Sequence, residues 1–582
     1  MEYSIVTDAY EKIEATTKRL EMTDYLVDLI KKTPKNFIDK IAFLTQGKLC
    51  PDFLGIEIGM AEKMVISSIA KAAELEKSEI AQKFRKTGDL GLTAEQLLEK
   101  MPAPRKPLTA EEVYDTLNKI AHTSGKGSVE EKVNLLAGLL RKATPKEARY
   151  IVRTVTGRLR LGVGDMTFLD ALAVAYFGDK KRRNEIERAY NLSSDLGLVA
   201  KTLMNEGADG IKKIKITIGR PVRAMLAERL KSPKEILEKI GGIGSVEYKY
   251  DGLRIQAHMS PDRTRLFSRR LENLTDQFPD IREALKNSLN VKEAVVEGEC
   301  VAVDPNTGEM RAFQVISQRR GRKYKIEEMI EEIPTTIFLF DILYKDGENL
   351  IDCPYPKRRK ELERIVKETR HVKLAEQFIT DDPDQLEQYM DKAIESGSEG
   401  LMVKALGEDS VYQAGSRGFL WIKYKREYKS EMADTIDLVA VGAFAGRGRR
   451  AGTYGALLMA AYDPKADEFK TVCKLGTGFD DATLSQFPRV FEPYRVSRQH
   501  PRVDSQIKAD YWFVPNVVLE VLGAELTLSP SHTCGLDAIK KDSGIAIRFP
   551  RFTGRWRKDK APENATTTNE IIKMYRSQLK KM

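Results

Sequence analysis

Cysteine is scarce: five in 582 residues, at positions 50, 300, 353, 473 and 534, with no C-x-x-C pair among them. That scatter indicates neither a zinc ribbon nor a disulfide framework. Long apolar runs are missing as well, and none approaches the ~18 residues of a membrane span. The opening stretch, "MEYSIVTDAYEKIEATTKRL", mixes acids with bases and lacks the apolar core of a signal peptide. No clean internal repeat occurs. These absences predict a protein of the reducing cytoplasm with no membrane partner.

What is present is bulk and charge. A chain of 582 residues exceeds one hydrophobic core, and its length suggests about three domains. With 42% hydrophobic and 31% charged residues it reads as globular, not disordered. A net charge of +10 and a pI of 9.0 favour a polyanionic partner such as nucleic acid.

The texture changes twice along the chain. Up to about residue 215 it is helical, with apolar residues at helical spacing in "VYDTLNKIAHT" and "VNLLAGLLRKA". Four Ser/Thr residues precede a Glu or Gln by three positions, as a capping box requires: Thr93, Thr109, Ser128 and Thr144. "KSPKEILEKIGG", 231 to 242, predicts a capped helix ending in glycines. From about 245, short β-branched and aromatic runs alternate with turns and helices, predicting an α+β domain with antiparallel sheets. After about 430 the strands become nearly continuous, joined by Gly-rich turns, which predicts a small OB-fold barrel closed by the helix "NEIIKMYRSQLKK". The expected domains are 1–215, 216–427 and 428–582.

Within "VEYKYDGLR", period two puts Glu247, Lys249 and Asp251 on one strand face and Val246, Tyr248 and Tyr250 on the other. K-x-D-G alone is weak, since chance supplies it in roughly one sequence of this length in ten. Lys249 reads either as a solvated edge-strand lysine or as a nucleophile that attacks phosphorus. With an ordinary pKa near 10.4, only about one lysine in two thousand is neutral at pH 7. A nucleophilic Lys249 therefore needs positive charge converging on it, because flanking carboxylates favour the ammonium form. The same alternation in "FLWIKYK" sets Lys423 and Lys425 on one face, with Ile422 and Tyr424 on the other. Arg254, Arg269 and Arg270 supply further cations. Glu299 and Glu399 are isolated acids in apolar runs, suited to the hard-oxygen preference of Mg²⁺.

In order, "EYKYDGLR", "SRRLENLT", "VEGECVAVD", "FLFDILY", "SEGLMVK" and "WIKYK" resemble the nucleotidyltransferase motifs of ATP-dependent DNA ligases. "RFPRFTGRWRKDK" is similar to the last motif on their barrel domain. The resemblance spans the chain and lies nearest the archaeal and eukaryotic replicative type. It implies that Lys249 becomes adenylated, that Glu247 contacts the adenine amino group, and that Phe340 stacks on adenine instead of serving only as core. It further implies Glu299 as the ribose- and metal-associated acid and Glu399 as the second metal acid. Arg254 and Arg269 would engage the nucleotide and the nick phosphate, and Arg417, Lys423 and Lys425 the triphosphate. Arg557 and Lys560 would orient the leaving pyrophosphate.

"TVTGRLRLGVGDMT" resembles a DNA-backbone loop, implying that Arg158, Arg160, Gly162 and Gly164 meet phosphates, with Arg270 as a further nucleic-acid contact. Backbone contacts suit a nick sealer, which must accept any sequence. The implied cofactors are ATP and Mg²⁺, and the implied substrate is nicked duplex DNA, handled by a monomer. A sliding clamp is a common family partner, but "MPAPRKPL" lacks the glutamine and paired aromatics of a docking motif.

An RNA ligase or a capping-type nucleotidyltransferase would use the same lysine, though capping gives no reason for some 215 helical residues ahead of it. An NAD-dependent ligase is disfavoured, because nothing resembles its cysteine-ligated zinc module. A basic binding protein with an inactive pocket is the rival from outside the enzymes.

Overall fold

The computed structural model describes residues 1–580 apart from 103–105, 304–309, 312, 323, 397, 426–434, 447–452, 524, 530 and 549. The expected boundary at 427/428 and part of the stretch "MPAPRKPL" lie outside the described residues. Two compact units emerge: Met1–Phe84 with Leu90–Lys425, and Arg85–Asp89 with Arg426–Met582. Among the described residues no helix is long and apolar enough to cross a membrane.

Between Tyr3 and Lys212 the described residues form twelve α-helices around one apolar core, to which Val6, Leu26, Leu117, Leu140 and Leu169 contribute. Thr144 makes the full reciprocal capping box with Glu147, and Thr109 accepts from the Glu112 amide. The other two expected caps fall elsewhere. Thr93 lies inside the helix Leu90–Leu98, and Gly127, with φ +84°, takes the cap position ahead of Ser128–Lys142. The helix Pro233–Ile240 is capped by Ser232 and ends on Gly241 in the left-handed region, as the sequence predicts.

The sheet strands of the first unit are β1 (Leu226–Arg229), β2 (Gly244–Lys249), β3 (Leu253–Met259), β4 (Thr264–Ser268), β5 (Ala294–Ala302), β6 (Thr335–Lys345), β7 (Glu348–Asn349), β8 (Val372–Leu374), β9 (Gln377–Thr380), β10 (Gly400–Ala405) and β11 (Arg417–Lys425). One sheet runs β1-β11-β10-β2-β9, the other β4-β3-β5-β6-β7 with β8 on β6. Most pairs are antiparallel as expected, but β1–β11 and β6–β8 are parallel. Parallel neighbours need a long connection, which the helix Tyr355–Ile365 provides between β6 and β8.

Register fixes the chemistry. Gly400 stands opposite Lys249 on one side and Lys425 on the other; Met402 likewise faces Glu247 and Lys423, and Lys404 faces Ser245 and Trp421. Period two then sends Val246, Leu401, Val403, Ile422 and Tyr424 to the opposite face, against Ile236, Ile240, Leu386 and Met390 of two covering helices. Burying each such side chain contributes about 1.5–3 kcal/mol, so a one-residue slip, which would exchange the two faces, is heavily disfavoured. The second sheet alternates in the same way. Leu253, Ile255, Val296 and Cys300 enter its core, while Arg254, Gln256, Glu297 and Glu299 occupy the other face. The two polar faces meet, since the Arg254 guanidinium lies 5.5 Å from the Trp421 ring.

Two glycines permit close approach of neighbouring strands within the sheets. A Cβ on Gly252 would lie 2.4 Å from the Cys300 carbonyl oxygen, and one on Gly400, at φ +144°, 2.3 Å from that of Tyr424. In the second unit, Ile436–Ala445, Tyr454–Asp463 and Glu468–Leu475 pair antiparallel in sequence, and Val518–Leu522 joins Ile436–Ala445 to Arg551–Trp556. Their inward residues pack with Phe487, Phe491 and Ile571.

Gly400→Ala is expected to cost about 2 kcal/mol or more, through forbidden backbone and a carbonyl clash. Thermal unfolding followed by circular dichroism checks this, and an unchanged midpoint would refute the close approach.

Candidate active site

The strand alternation brings the predicted nucleophile to a carboxylate shared between two lysines. Lys249 Nζ donates to Glu399 Oε2 at 2.5 Å, and Lys425 Nζ approaches the same oxygen at 2.9 Å. Glu399 reaches this position because its own amide donates to the Lys249 carbonyl oxygen at 2.8 Å, extending the pairing of β10 with β2 by one residue. Burial alone would raise the Glu399 carboxyl, but Lys249 and Lys425 overcome it and hold it at about 2. Lys249 is 24% exposed, neither sealed off nor out in bulk water.

Beside this pair the charges are less balanced. Burial pushes Glu299 up to about 7 against the attraction of Lys249 and Arg254, with Glu399 and Asp251 adding repulsion. Among the described residues no hydrogen bond or ion pair satisfies Glu299. Burial also pulls Lys423 down to about 8, helped by repulsion from Arg229, Arg417, Lys249 and Lys425. Arg417 is exposed at the start of β11, and Arg269 is exposed just beyond β4. Arg269 is lowered by desolvation and by Arg254 and Arg417, which places these guanidiniums in one cationic group.

One pleat along β2, Glu247 is almost fully buried. Lys404 Nζ meets its Oε2 at 2.7 Å, and the Tyr355 hydroxyl donates to its Oε1. Lys404 also donates to the Phe340 carbonyl oxygen at 3.2 Å, and its Nζ lies 4.6–4.9 Å from the rings of Tyr355, Trp421 and Phe340. Removing one partner of such a buried pair typically costs 3–5 kcal/mol. Phe340 itself is half-buried, edge-on to Trp421 and 5.2 Å from the Arg254 guanidinium. Asp251 accepts from the Phe313 amide at 3.0 Å, so it caps the helix Phe313–Ser317 and is not confined to its own turn and strand.

Other predicted residues belong to other elements. In the loop 156–164, Leu159 and Leu161 are buried and Arg158 is half-buried, while Arg160, Gly162 and Gly164 are exposed. Gly162 has φ +70°, and Gly164 caps the helix Asp165–Phe177. Arg270 is exposed beyond β4. In the second unit, Arg557 Nη1 and Lys560 Nζ each lie 2.6 Å from the same Asp437 oxygen.

Lys404, Trp421 and Tyr355 escaped the sequence reading. Lys404 shares the parity of Gly400 and Met402, the signal that marks Lys423 and Lys425, and so was findable. Tyr355 carries no such mark, because it meets Glu247 from a helix 108 residues away.

Lys249 thus stands near Lys423 and Lys425 at one end of this polar face, with Glu247 and the aromatic rings at the other. The chain matches three family descriptions: "DNA ligase N terminus" over residues 2–173, "ATP dependent DNA ligase domain" over 224–425, and "ATP dependent DNA ligase C terminal region" over 450–560. It is 54% identical to DNA ligase 2 of Thermofilum pendens, over 99% of this chain and 98% of that one. It is 50% identical to the DNA ligase of Staphylothermus marinus, over the full length of both. A solved structure named "Pmar-Lig_PreS3" shares the fold, with TM-score 0.56 and 16% identity over 95% of this chain and 99% of its own. The chain belongs to the ATP-dependent DNA ligase family.

With Lys423 near 8, nucleotide affinity of the free enzyme should fall as pH rises through 8, because the ammonium form that attracts polyphosphate is lost. Lys423→Arg should flatten that dependence, its guanidinium staying charged. Equilibrium binding of a non-hydrolysable ATP analogue between pH 6.5 and 9.5 measures both, and a flat wild-type profile would contradict the assignment.

Proposed function

We propose that this site seals nicks in duplex DNA through a covalent lysyl-AMP intermediate. The observation that carries the reading is the convergence of Lys249, Glu399, Lys425 and Lys423 across three adjacent strands, one pleat from Glu247. Lys249 Nζ, as the free amine, attacks the α-phosphorus of ATP. The N–P bond forms, the bond to the β-phosphate bridge breaks, pyrophosphate leaves, and nitrogen gives up a proton. A 5′-phosphate oxygen at the nick then attacks the same phosphorus, and Lys249 departs as an amine. Finally the 3′-hydroxyl oxygen attacks the 5′-phosphorus, forming the phosphodiester, releasing AMP and losing its proton.

In each displacement, positioning and charge neutralisation supply most of the rate. Sharing Glu399 with Lys425 leaves Lys249 with only part of a counter-charge. Arg417, Lys423 and Lys425 receive the triphosphate, while Arg254 and Arg269 engage the nucleotide and the nick phosphate. Glu247, acting as an acceptor, reads the adenine amino group, and Phe340 stacks on the ring.

Glu299 and Glu399 are the residues that would hold Mg²⁺. The donor set fits, since Glu299 is a half-buried carboxylate, raised to about 7 and without a protein partner among the described residues. When bound, the ion supplies positive charge against the phosphate oxygens.

Arg158 and Arg160, set outward by Leu159 and Leu161, with Gly162, Gly164 and Arg270, suit DNA phosphates. The C-terminal sheet is read as an OB-fold, supported by strand Val518–Leu522 pairing on both sides. Its Arg557 and Lys560 are assigned to the leaving pyrophosphate. The working domains are 1–215, 216–427 and 428–582, in a cytoplasmic monomer. Sliding-clamp association has no docking motif to support it.

Incubation with α-labelled ATP and Mg²⁺ is expected to label the wild-type chain and leave Lys249→Ala and Lys249→Arg at background, since arginine cannot deprotonate. Normal labelling of either variant would disprove the nucleophile. Sealing of nicked DNA with ATP but not with NAD is the companion result, and NAD-driven sealing would overturn the nucleotide choice.

A further inference from the structure

Between the helices and the first sheet the chain runs as a strap, residues 216–225, which turns tightly at 217–220 and is tied on both sides. Towards the helices, Arg220 Nη1 meets Asp195 at 2.9 Å, Arg223 Nη1 meets Asp165 at 3.1 Å, and the Arg223 amide donates to the Asn191 carbonyl oxygen at 2.8 Å. Towards the sheets, the ties converge on one side chain, Gln256, and on Arg254 two residues before it.

The Gln256 amide is saturated. Its Oε1 accepts from the Val222 amide at 2.7 Å and lies 2.9 Å from His258 Nε2; its Nε2 donates to the Val222 carbonyl oxygen at 3.0 Å and to Glu297 Oε1 at 3.1 Å. The Gly219 amide donates to His258 Nδ1 at 3.2 Å, which leaves the proton on Nε2, pointing at Gln256. Two acceptor and two donor positions are all that a primary amide possesses. No other side chain of this length offers both, and a carboxylate here would confront Glu297.

Glu297, 1% exposed, passes the constraint on. Its Oε2 accepts from Arg254 Nη2 and from the Tyr412 hydroxyl, both at 2.8 Å. The strap closes the circuit, because the Met225 carbonyl oxygen accepts from Arg254 Nη1 at 3.0 Å and the Met225 amide donates to Tyr412 Oη at 2.9 Å. Arg254 Nε is buried without a hydrogen bond among the described residues. The guanidinium is thus oriented from behind by Glu297, Tyr412 and the strap, beside the Phe340 and Trp421 rings.

We propose that Gln256 is a positioning residue for Arg254, holding the strap and Glu297 in the one arrangement that aims the guanidinium into the nucleotide cleft. This rests on the reading of Arg254 as a group that engages the nucleotide and the nick phosphate. Because the strap is anchored on helices carrying the DNA-facing loop, Gln256 also links that part of the chain to the reacting phosphate.

The test is a double-mutant cycle on the full-length enzyme with Gln256→Met and Arg254→Lys, singly and together. Single-turnover AMP transfer from the preadenylated enzyme to nicked duplex is the readout, at a temperature where melting shows every variant folded. Gln256→Met is expected to slow transfer about 10- to 100-fold, as for a misplaced catalytic contact. In the Arg254→Lys background it should add less than about twofold, because a residue acting only through Arg254 has nothing left to act through. If Gln256→Met does not fold, Gln256→Glu, which keeps the length but loses the two donors, takes its place and should show the same non-additivity. Multiplying effects would overturn the inference while leaving Arg254 in its role. An Arg254→Lys enzyme with wild-type rate would overturn the reading of Arg254, and the inference with it.

Discussion

One carboxylate held between two lysines organises the polar face of the first sheet. Glu399 can serve both Lys249 and Lys425 only because β2, β10 and β11 lie side by side in a register that puts Gly400 between the lysines. A side chain at that position would push against the Tyr424 carbonyl and part the strands. The register is held from the far face, where Val246, Val403, Ile422 and Tyr424 are buried against helices. The placing of Lys249, Glu399 and Lys425 is a by-product of core packing on the other side of the same sheet.

Much of this was legible in the sequence. Strict alternation around Glu247 and Lys249, and again around Lys423 and Lys425, identified the polar face because side-chain parity in a strand is a local property. Local chemistry likewise identified the caps at Thr109, Thr144 and Ser232. It failed for Ser128, where a glycine with positive φ took the cap, and for Thr93, where the helix had begun three residues earlier. What remained hidden depends on distant pairings. Nothing near Glu247 announces Tyr355, nothing near Arg557 announces Asp437, and the parallel pairings of β1 and β8 follow from tertiary connections that no short window contains.

Buried charge sets the character of the cleft more than apolar area does. Glu247 with Lys404, and Arg254 with Glu297, are pairs whose desolvation consumes much of their Coulombic attraction, so hydrophobic replacements could match them for stability. Their value lies in direction. An ionised carboxylate can only accept hydrogen bonds, and a guanidinium braced on three sides cannot swing to another rotamer. The same logic explains why the strap crosses the site through paired backbone bonds to Gln256 instead of through loose surface contacts.

The clasp in the second unit carries a consequence of a different kind. Arg557 and Lys560 are neutralised in part by Asp437, an internal counter-ion only 9% exposed. Asp559 holds Arg557 from its other edge, so the two cations are drawn to one oxygen from different sides, and loss of the Asp437 carboxylate would leave two like charges facing each other with nothing between them.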